Sequence, residues 1–474
     1  MVTFCISLLA LVLGYVFYGA VVERVFGVEP ERATPCYTKT DGVDFIPMPT
    51  WKVFLIQFLN IAGTGPIFGA IMGILFGPAA YLWIVLGCIF AGATHDYMSG
   101  MISLREGGIS ISEFVGEELG PCIRLLMRVC SMVLMVLVGA VFVATPASLL
   151  SSMTSEWGMY GTAMFWSVVI FLYYVLATLL PISTLIGRVY PLFGLAMLVM
   201  ALGIGIGIFT HDGWMPELTD SLTGHHPKGL PVFPMLCITI ACGAISGFHG
   251  TQSPMMARCI KSEAMGRRVF YGAMIAEGLV ALIWAAASIK FAGGYQQLAD
   301  MGNPAVVVST LCSNWMGRIG AVLAILGVVA APITSGDTAL RSARLMAADF
   351  LHFRQDKLWR RLVLSLPIFL VCTLLMIIHF DVLWRYFAWF NQTLAFMTLW
   401  AVSVWLARSG KFFWVTLLPA MFMTVVCSSY ILVAPEGFRL PLHVGIVCGL
   451  TFMCVLTVLF VVWLVRKRRT ASRS

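Results

Sequence analysis

Charge is what this sequence has least of. Of its 474 residues only 11% are Asp, Glu, Lys or Arg, while 60% are apolar. A soluble domain carries roughly 25% charged residues, so the few polar groups here cannot cover a water-facing surface. A soluble globular protein is excluded, and the length instead accommodates many spans of about 20 residues each. The chain also lacks a Gly-x-x-x-x-Gly-Lys-Ser/Thr loop, which speaks against a built-in ATPase. Nothing supplies a convincing nucleophile, base and orienting group, so an enzyme is not expected. Thirteen cysteines are present, but no two have close ligand spacing in a polar loop. Most, such as Cys88, Cys130, Cys242 and Cys454, fall in apolar runs and read as small buried hydrophobes. Residues 2–22 lack both a positively charged start and a clean cleavage site before Glu23-Arg24. They read as a retained span rather than a signal peptide.

The net charge of +8 is not a nucleic-acid signature. The basic residues sit in short clusters between apolar runs, as membrane topology requires. Arg466, Lys467, Arg468 and Arg469 look like a stop at anionic headgroups. Apolar runs fall at roughly 2–23, 54–77, 79–103, 125–150, 161–186, 189–210, 232–256, 269–291, 316–346, 361–380, 385–407, 412–434 and 441–465. They predict an all-α polytopic membrane protein of about 13 transmembrane helices. With the N-terminus outside and the C-terminus cytoplasmic, only Lys228, Lys290, Arg318, Arg385 and Arg439 of the 30 basic residues fall on the outer side. One misplaced span would scramble that bias, so it supports both the count and the orientation.

Two runs break their own pattern. One reads Gln57-Phe58-Leu59-Asn60-Ile61-Ala62-Gly63-Thr64-Gly65-Pro66 and the other Ala244-Ile245-Ser246-Gly247-Phe248-His249-Gly250-Thr251-Gln252-Ser253-Pro254. An unpaired peptide group in lipid costs several kcal/mol. Irregular backbone at that depth therefore survives only buried in protein or lining a site. The first broken run opens five spans, 54–210, and the second opens another five, 232–407, of opposite orientation. This predicts an inverted five-plus-five repeat core, the amino-acid-carrier-like arrangement. Residues 1–53 would then be an extra span and cytoplasmic loop, 211–231 an external loop, and 408–474 two further spans with a basic tail.

The expected substrate pocket combines Asn60, Gly63, Thr64 and Gly65 with Ser246, Gly247, Phe248, His249, Thr251 and Gln252. Three roles are open to His249: binding an anionic substrate, relaying a proton, or satisfying unwound carbonyls. Ionisable groups within spans are costly unless paired, hydrated or neutral. His95, Asp96, Glu277 and Asp337 are accordingly expected at ion coupling, with Thr334, Ser335 and Thr338 beside Asp337. Oxygen-only ligands suit a hard cation, so Ala62, Thr334, Ser335 and Thr338 form a candidate Na⁺ site; packing hydroxyls are the plainer reading. No cofactor and no other metal is expected. The partners are a small polar solute, a coupling cation, H⁺ or Na⁺, and membrane lipids. A channel or a membrane sensor for the same class of solute is the competing reading.

Several stretches carry a family resemblance: Gly63-Thr64-Gly65-Pro66-Ile67, Leu82-Trp83-Ile84 leading to Gly92-Ala93-Thr94-His95-Asp96, and Ser103-Leu104-Arg105-Glu106-Gly107-Gly108. Gly243-Ala244-Ile245-Ser246-Gly247-Phe248-His249 and Pro332-Ile333-Thr334-Ser335-Gly336-Asp337-Thr338-Ala339 complete the set. Over roughly residues 1–407 the chain resembles the carbon starvation protein A family of bacterial inner-membrane carriers. That resemblance implies uptake of pyruvate or short peptides driven by an ion gradient, under nutrient limitation. The chain is short for the family. Where members continue after Phe-His with a hydrophobic-Ser-Ser-Gly-Thr-like run, this one has Gly250-Thr251-Gln252-Ser253-Pro254. At a substrate-contacting position that departure changes what is bound.

Overall fold

The computed structural model describes residues 1–41, 45–179, 186–351, 353 and 358–471, the side chains of 177–179, 186–191, 331, 334, 349, 358 and 468–471 excepted. Among the described residues there is no strand. The helices in chain order are α1 (Val2–Phe26), α2 (Thr50–Ile61), α3 (Gly65–Phe76), α4 (Ala79–Arg105), α5 (Ile111–Leu119), α6 (Pro121–Met153), α7 (Ala163–Leu179) and α8 (Ile186–Thr210). Then follow α9 (Val232–Thr239), α10 (Gly247–Ala257), α11 (Glu263–Ala292), α12 (Pro304–Ala324), α13 (Ala330–Phe350), α14 (Leu358–Leu375), α15 (Phe380–Arg408), α16 (Trp414–Val433) and α17 (Leu442–Lys467).

Helix occupies each of the thirteen expected runs. Nine described helices are long and apolar enough to cross a membrane, or up to eleven if each bent pair is one span. The two expected spans outside that count are the divided pair α9–α10 and α14. α12 departs from expectation at its start: it begins at Pro304, and Gly317, at φ 59°, bends it one residue after the expected span begins.

Two groups of helices can be distinguished, with α8 packed on α2 and α11 and also on α12. In the first, α10 lies against α4 and α2, and α11 against α2 and α3. In the second, α6 packs against α7, α13 and α14. α15 touches both α6 and α10, and α1 packs beside α4 and α11. Each half of the core opens on a broken helix, and the whole is the inverted five-plus-five carrier fold with two added C-terminal helices, α16 and α17.

The loops sort onto two faces as the charge pattern requires. On the basic face Arg105 pairs with buried Glu263 at 2.8 Å, and Arg32 approaches the same carboxylate. Lys39 donates to the Gly107 carbonyl, Arg258 to Gly108 and Lys467 to Arg408. On the opposite face Lys228 meets Asp381 at 3.7 Å and Arg385 meets Glu436 at 2.8 Å.

Candidate functional site

The first break is short. Between α2 and α3 the chain turns by 48° at Ala62–Thr64. Pro66 follows at the start of α3, where its missing N–H costs nothing, and the Thr64 carbonyl accepts from Ile67 and Phe68. The glycines are there for room. A Cβ on Gly63 would lie 2.8 Å from the Phe142 ring, and one on Gly65 would lie 2.4 Å from the Cys242 Cβ. The two breaks therefore touch each other.

The second break lies earlier than expected. Ile240–Ser246 is the irregular stretch, and Gly247–Ala257 is helix. Thr251, Gln252 and Ser253, expected in unwound chain, stand on α10 instead. Pro254 has no N–H to offer the Gly250 carbonyl one turn before it, and a Cβ on Gly250 would lie 3.3 Å from the His95 ring. Polar groups freed at and on either side of Ile240–Ser246 are met by side chains from elsewhere. Trp83 Nε1 donates to the Ile240 carbonyl at 2.9 Å, and Gln392 Nε2 to the Cys237 carbonyl at 2.5 Å. Asn391 Oδ1 accepts from the Phe248 amide at 2.6 Å and from the Ser246 hydroxyl at 3.0 Å. Asn391 thus caps α10 from a different helix. Sequence reasoning missed Asn391 and Gln392, although two adjacent amides inside an apolar run are the signal that finds them.

Behind α10 lies a buried polar cluster. A π turn at Gly87–Gly92 precedes the segment of α4 that carries His95 and Asp96. Asp96 holds both histidines: Oδ1 is 2.8 Å from His95 Nδ1, and Oδ2 is 2.8 Å from His249 Nδ1. His95 and Asp96, sequence neighbours that had no need to face one another, do so. The other nitrogen of His249 lies 3.4 Å from Glu277 Oε2 on α11. All four side chains are fully buried. The three groups expected at coupling on α4 and α11 are thus gathered, with His249 as their link.

The remaining expected residues are elsewhere. Asp337 on α13 is separate from this cluster and pairs with Arg341, one turn along its own helix, at 3.6 Å. Ser335 and Thr338 are buried beside it, and the side chain of Thr334 lies outside the described residues. α13 touches α2, the helix that leads into Ala62. Asn60 is buried, Gln57 donates to Ser253 at 3.3 Å, and Thr64 meets Thr145 at 3.5 Å. Gln252 donates to Thr251, which donates to the Phe248 carbonyl. The Phe248 ring packs edge-on against Phe142.

Two cavities approach this centre from opposite faces. From the basic face, one of about 400 Å³ runs between α5, α6, α10 and α13. Arg128, Glu113 and Arg258 stand along it, and it reaches Gly247, Gly250 and Thr251. Ser110 caps α5 there by accepting the Glu113 amide at 3.3 Å, an interaction worth about 1 kcal/mol. From the other face a cavity of about 320 Å³ ends at Ile71 and Thr239. His226 at its mouth is held down to about 4 by burial and by Lys228 and Arg385, so its ring is neutral at pH 7. Asn60, Gly63, Thr64 and Gly65 line neither cavity.

Comparison with known proteins agrees with this architecture. The fold matches the manganese transporter of Eremococcus coleocola with a TM-score of 0.54 at 13% identity, covering 91% of this chain and 99% of that one. An uncharacterized membrane protein of Haemophilus influenzae is 41% identical over 65% of this chain and 95% of its own. The peptide transporter CstA of Escherichia coli is 26% identical over 89% of this chain and 78% of its own. The pyruvate/proton symporter BtsT of the same organism is 27% identical over 59% of this chain and 48% of its own. The sequence profile of the carbon starvation protein CstA matches residues 1–165, 152–311 and 284–429, and the chain is a member of that family.

Proposed function

We propose that the protein is a cation-coupled secondary carrier that moves a small organic anion such as pyruvate, or a short peptide, across the bacterial inner membrane. The observation that carries this reading is the 400 Å³ cavity between α10 of one helix group and α6 and α13 of the other. A carrier of this fold switches access by rocking one group against the other, and a solute held at their seam feels both. The net positive lining favours a carboxylate: Arg128 pairs with Glu113 at 3.5 Å, Arg258 donates to the Gly108 carbonyl and keeps its charge uncancelled by an acid of the lining, and Ser110, Ser112, Ser131, Thr251 and Ser342 add hydroxyls. The relatives named as peptide and pyruvate carriers support the same choice. No covalent step is needed.

Asp337 is the coupling group in this reading. It shares α13 with Ser342, Leu345 and Met346 of the cavity wall. A proton on its carboxylate cancels the attraction to Arg341, which loosens one turn of that helix. A sodium ion held by Ser335, Thr338 and the Ala62 carbonyl would bias the same helix instead. The basic face is cytoplasmic and the N-terminus outside in this arrangement. Uptake of labelled pyruvate into proteoliposomes, with proton and sodium gradients imposed separately, tests the reading. Asp337→Asn is expected to cut gradient-driven uptake at least tenfold while counterflow falls much less. Equal loss of both in a folded variant removes Asp337 from coupling, and flux that never saturates with substrate removes the carrier.

A further inference from the structure

We infer that Cys242, His249 and Glu277 form a transition-metal site of the zinc class inside the first helix group. The ligand atoms of these three residues all lie within 4.8 Å of one another, and all three residues are buried. They come from three separate places: the irregular stretch, the first turn of α10, and the middle of α11.

The geometry around His249 argues for a cation. Asp96 takes the Nδ1 side at 2.8 Å, so Nδ1 carries the hydrogen and Nε2 presents its lone pair. That lone pair points toward Glu277 Oε2 at 3.4 Å. Neither Nε2 nor either Glu277 oxygen has a hydrogen-bond partner among the described residues. Two acceptors facing each other in a dry interior are unstable unless something positive sits between them. A shared proton would draw such a pair in to about 2.7 Å. A metal ion about 2.1 Å from each, with tetrahedral angles, keeps them roughly 3.4 Å apart. The observed separation fits the metal.

The donor types narrow the ion. Thiolate, imidazole and carboxylate together select zinc or cobalt over sodium, magnesium or calcium. The arrangement also has the outer partner such sites use, a carboxylate on the far nitrogen of the histidine. Asn391 Nδ2 donates to the Cys242 sulfur at 3.5 Å, a contact that a thiolate retains. Binding converts the Cys242 S–H to a sulfur–metal bond and releases one proton to solvent; three protein ligands leave a fourth position for water. The cavity on the basic face reaches Gly250, which lies against His95: a Cβ there would be 3.3 Å from that ring. The ion would fasten the irregular stretch to α10 and α11. This inference stands independently of the carrier reading, since it concerns metal content and not flux.

The full-length protein, purified in detergent and stripped with chelator, should be titrated with Co²⁺ alone. The expected result is one equivalent bound per chain, with a thiolate–cobalt absorption band in the near ultraviolet. Cys242→Ser should abolish the band and weaken binding at least tenfold, whereas Cys88→Ser should change neither. No band in the wild type, or a band that persists in Cys242→Ser, overturns the site. Should Cys242→Ser fail to fold, Glu277→Gln replaces it: binding at least tenfold weaker supports the site, and unchanged affinity overturns it.

Discussion

Gly65 shows what a single residue can fix in this protein. Its lack of a side chain lets the first break rest on Cys242 of the second, and both surfaces there are fully enclosed. Adding one methyl group leaves no space that a rotamer change can supply, because the obstructing atoms include the Cys242 Cβ itself. Gly65→Ala should cost about 1–3 kcal/mol, read as a lowered Tm in detergent. Pairing it with Cys242→Gly should cost less than the two single changes added together. Gly65 was legible in the sequence as part of a break, but its reason was not. A glycine needed for close approach and one needed for a positive φ look alike until the neighbour is placed.

α10 is the element where reading from sequence succeeded in kind and failed in register. The small and polar residues of Ser246–Ser253 announce a disturbance in the helix, and there is one. Its centre lies at Ile240–Ser246, where Trp83 takes the Ile240 carbonyl, Gln392 the Cys237 carbonyl just before the stretch, and Asn391 the Ser246 hydroxyl and the Phe248 amide at its end. Those three partners are 143 or more residues away from the groups they serve, so no local pattern records them. Position 247 requires glycine because the α15 backbone passes 2.4 Å from where a Cβ would be. Asn391→Leu should strand the Phe248 amide and the Ser246 hydroxyl in the interior. The expected cost is about 2–4 kcal/mol for the two orphaned groups together, and faster amide exchange should be confined to the first turn of α10.

For the whole molecule, the charge distribution of the sequence was the most informative signal. It correctly grouped loops far apart in the chain onto common faces, as the contacts of Arg105, Lys39 and Lys467 show. What it could not supply was the division of the ionisable groups. Asp96 and Asp337 look equivalent along the chain, each a carboxylate inside an expected span, yet one is held by two histidines and the other by an arginine of its own helix. The clasp at the basic face carries a further expectation. Glu263 joins α11 to Arg105 at the end of α4 and to the Glu29 amide that follows α1. Glu263→Gln leaves Arg105 only the exposed Glu29 carboxylate, 3.7 Å away, as counter-charge and should cost about 2 kcal/mol. Its measurable sign is a lower Tm together with faster modification of a cysteine placed at Ser342.

The unequal reach of the two cavities also sets which side a solute must approach. On the proposed reading, a solute from the basic face finds a passage that already extends to α10, and its affinity from that side would be the intrinsic one. From the other face only those molecules that have rearranged can accept it, and apparent affinity falls in proportion to their share. Every 1.4 kcal/mol separating the two arrangements makes the same solute look ten times weaker when offered from the shallow side.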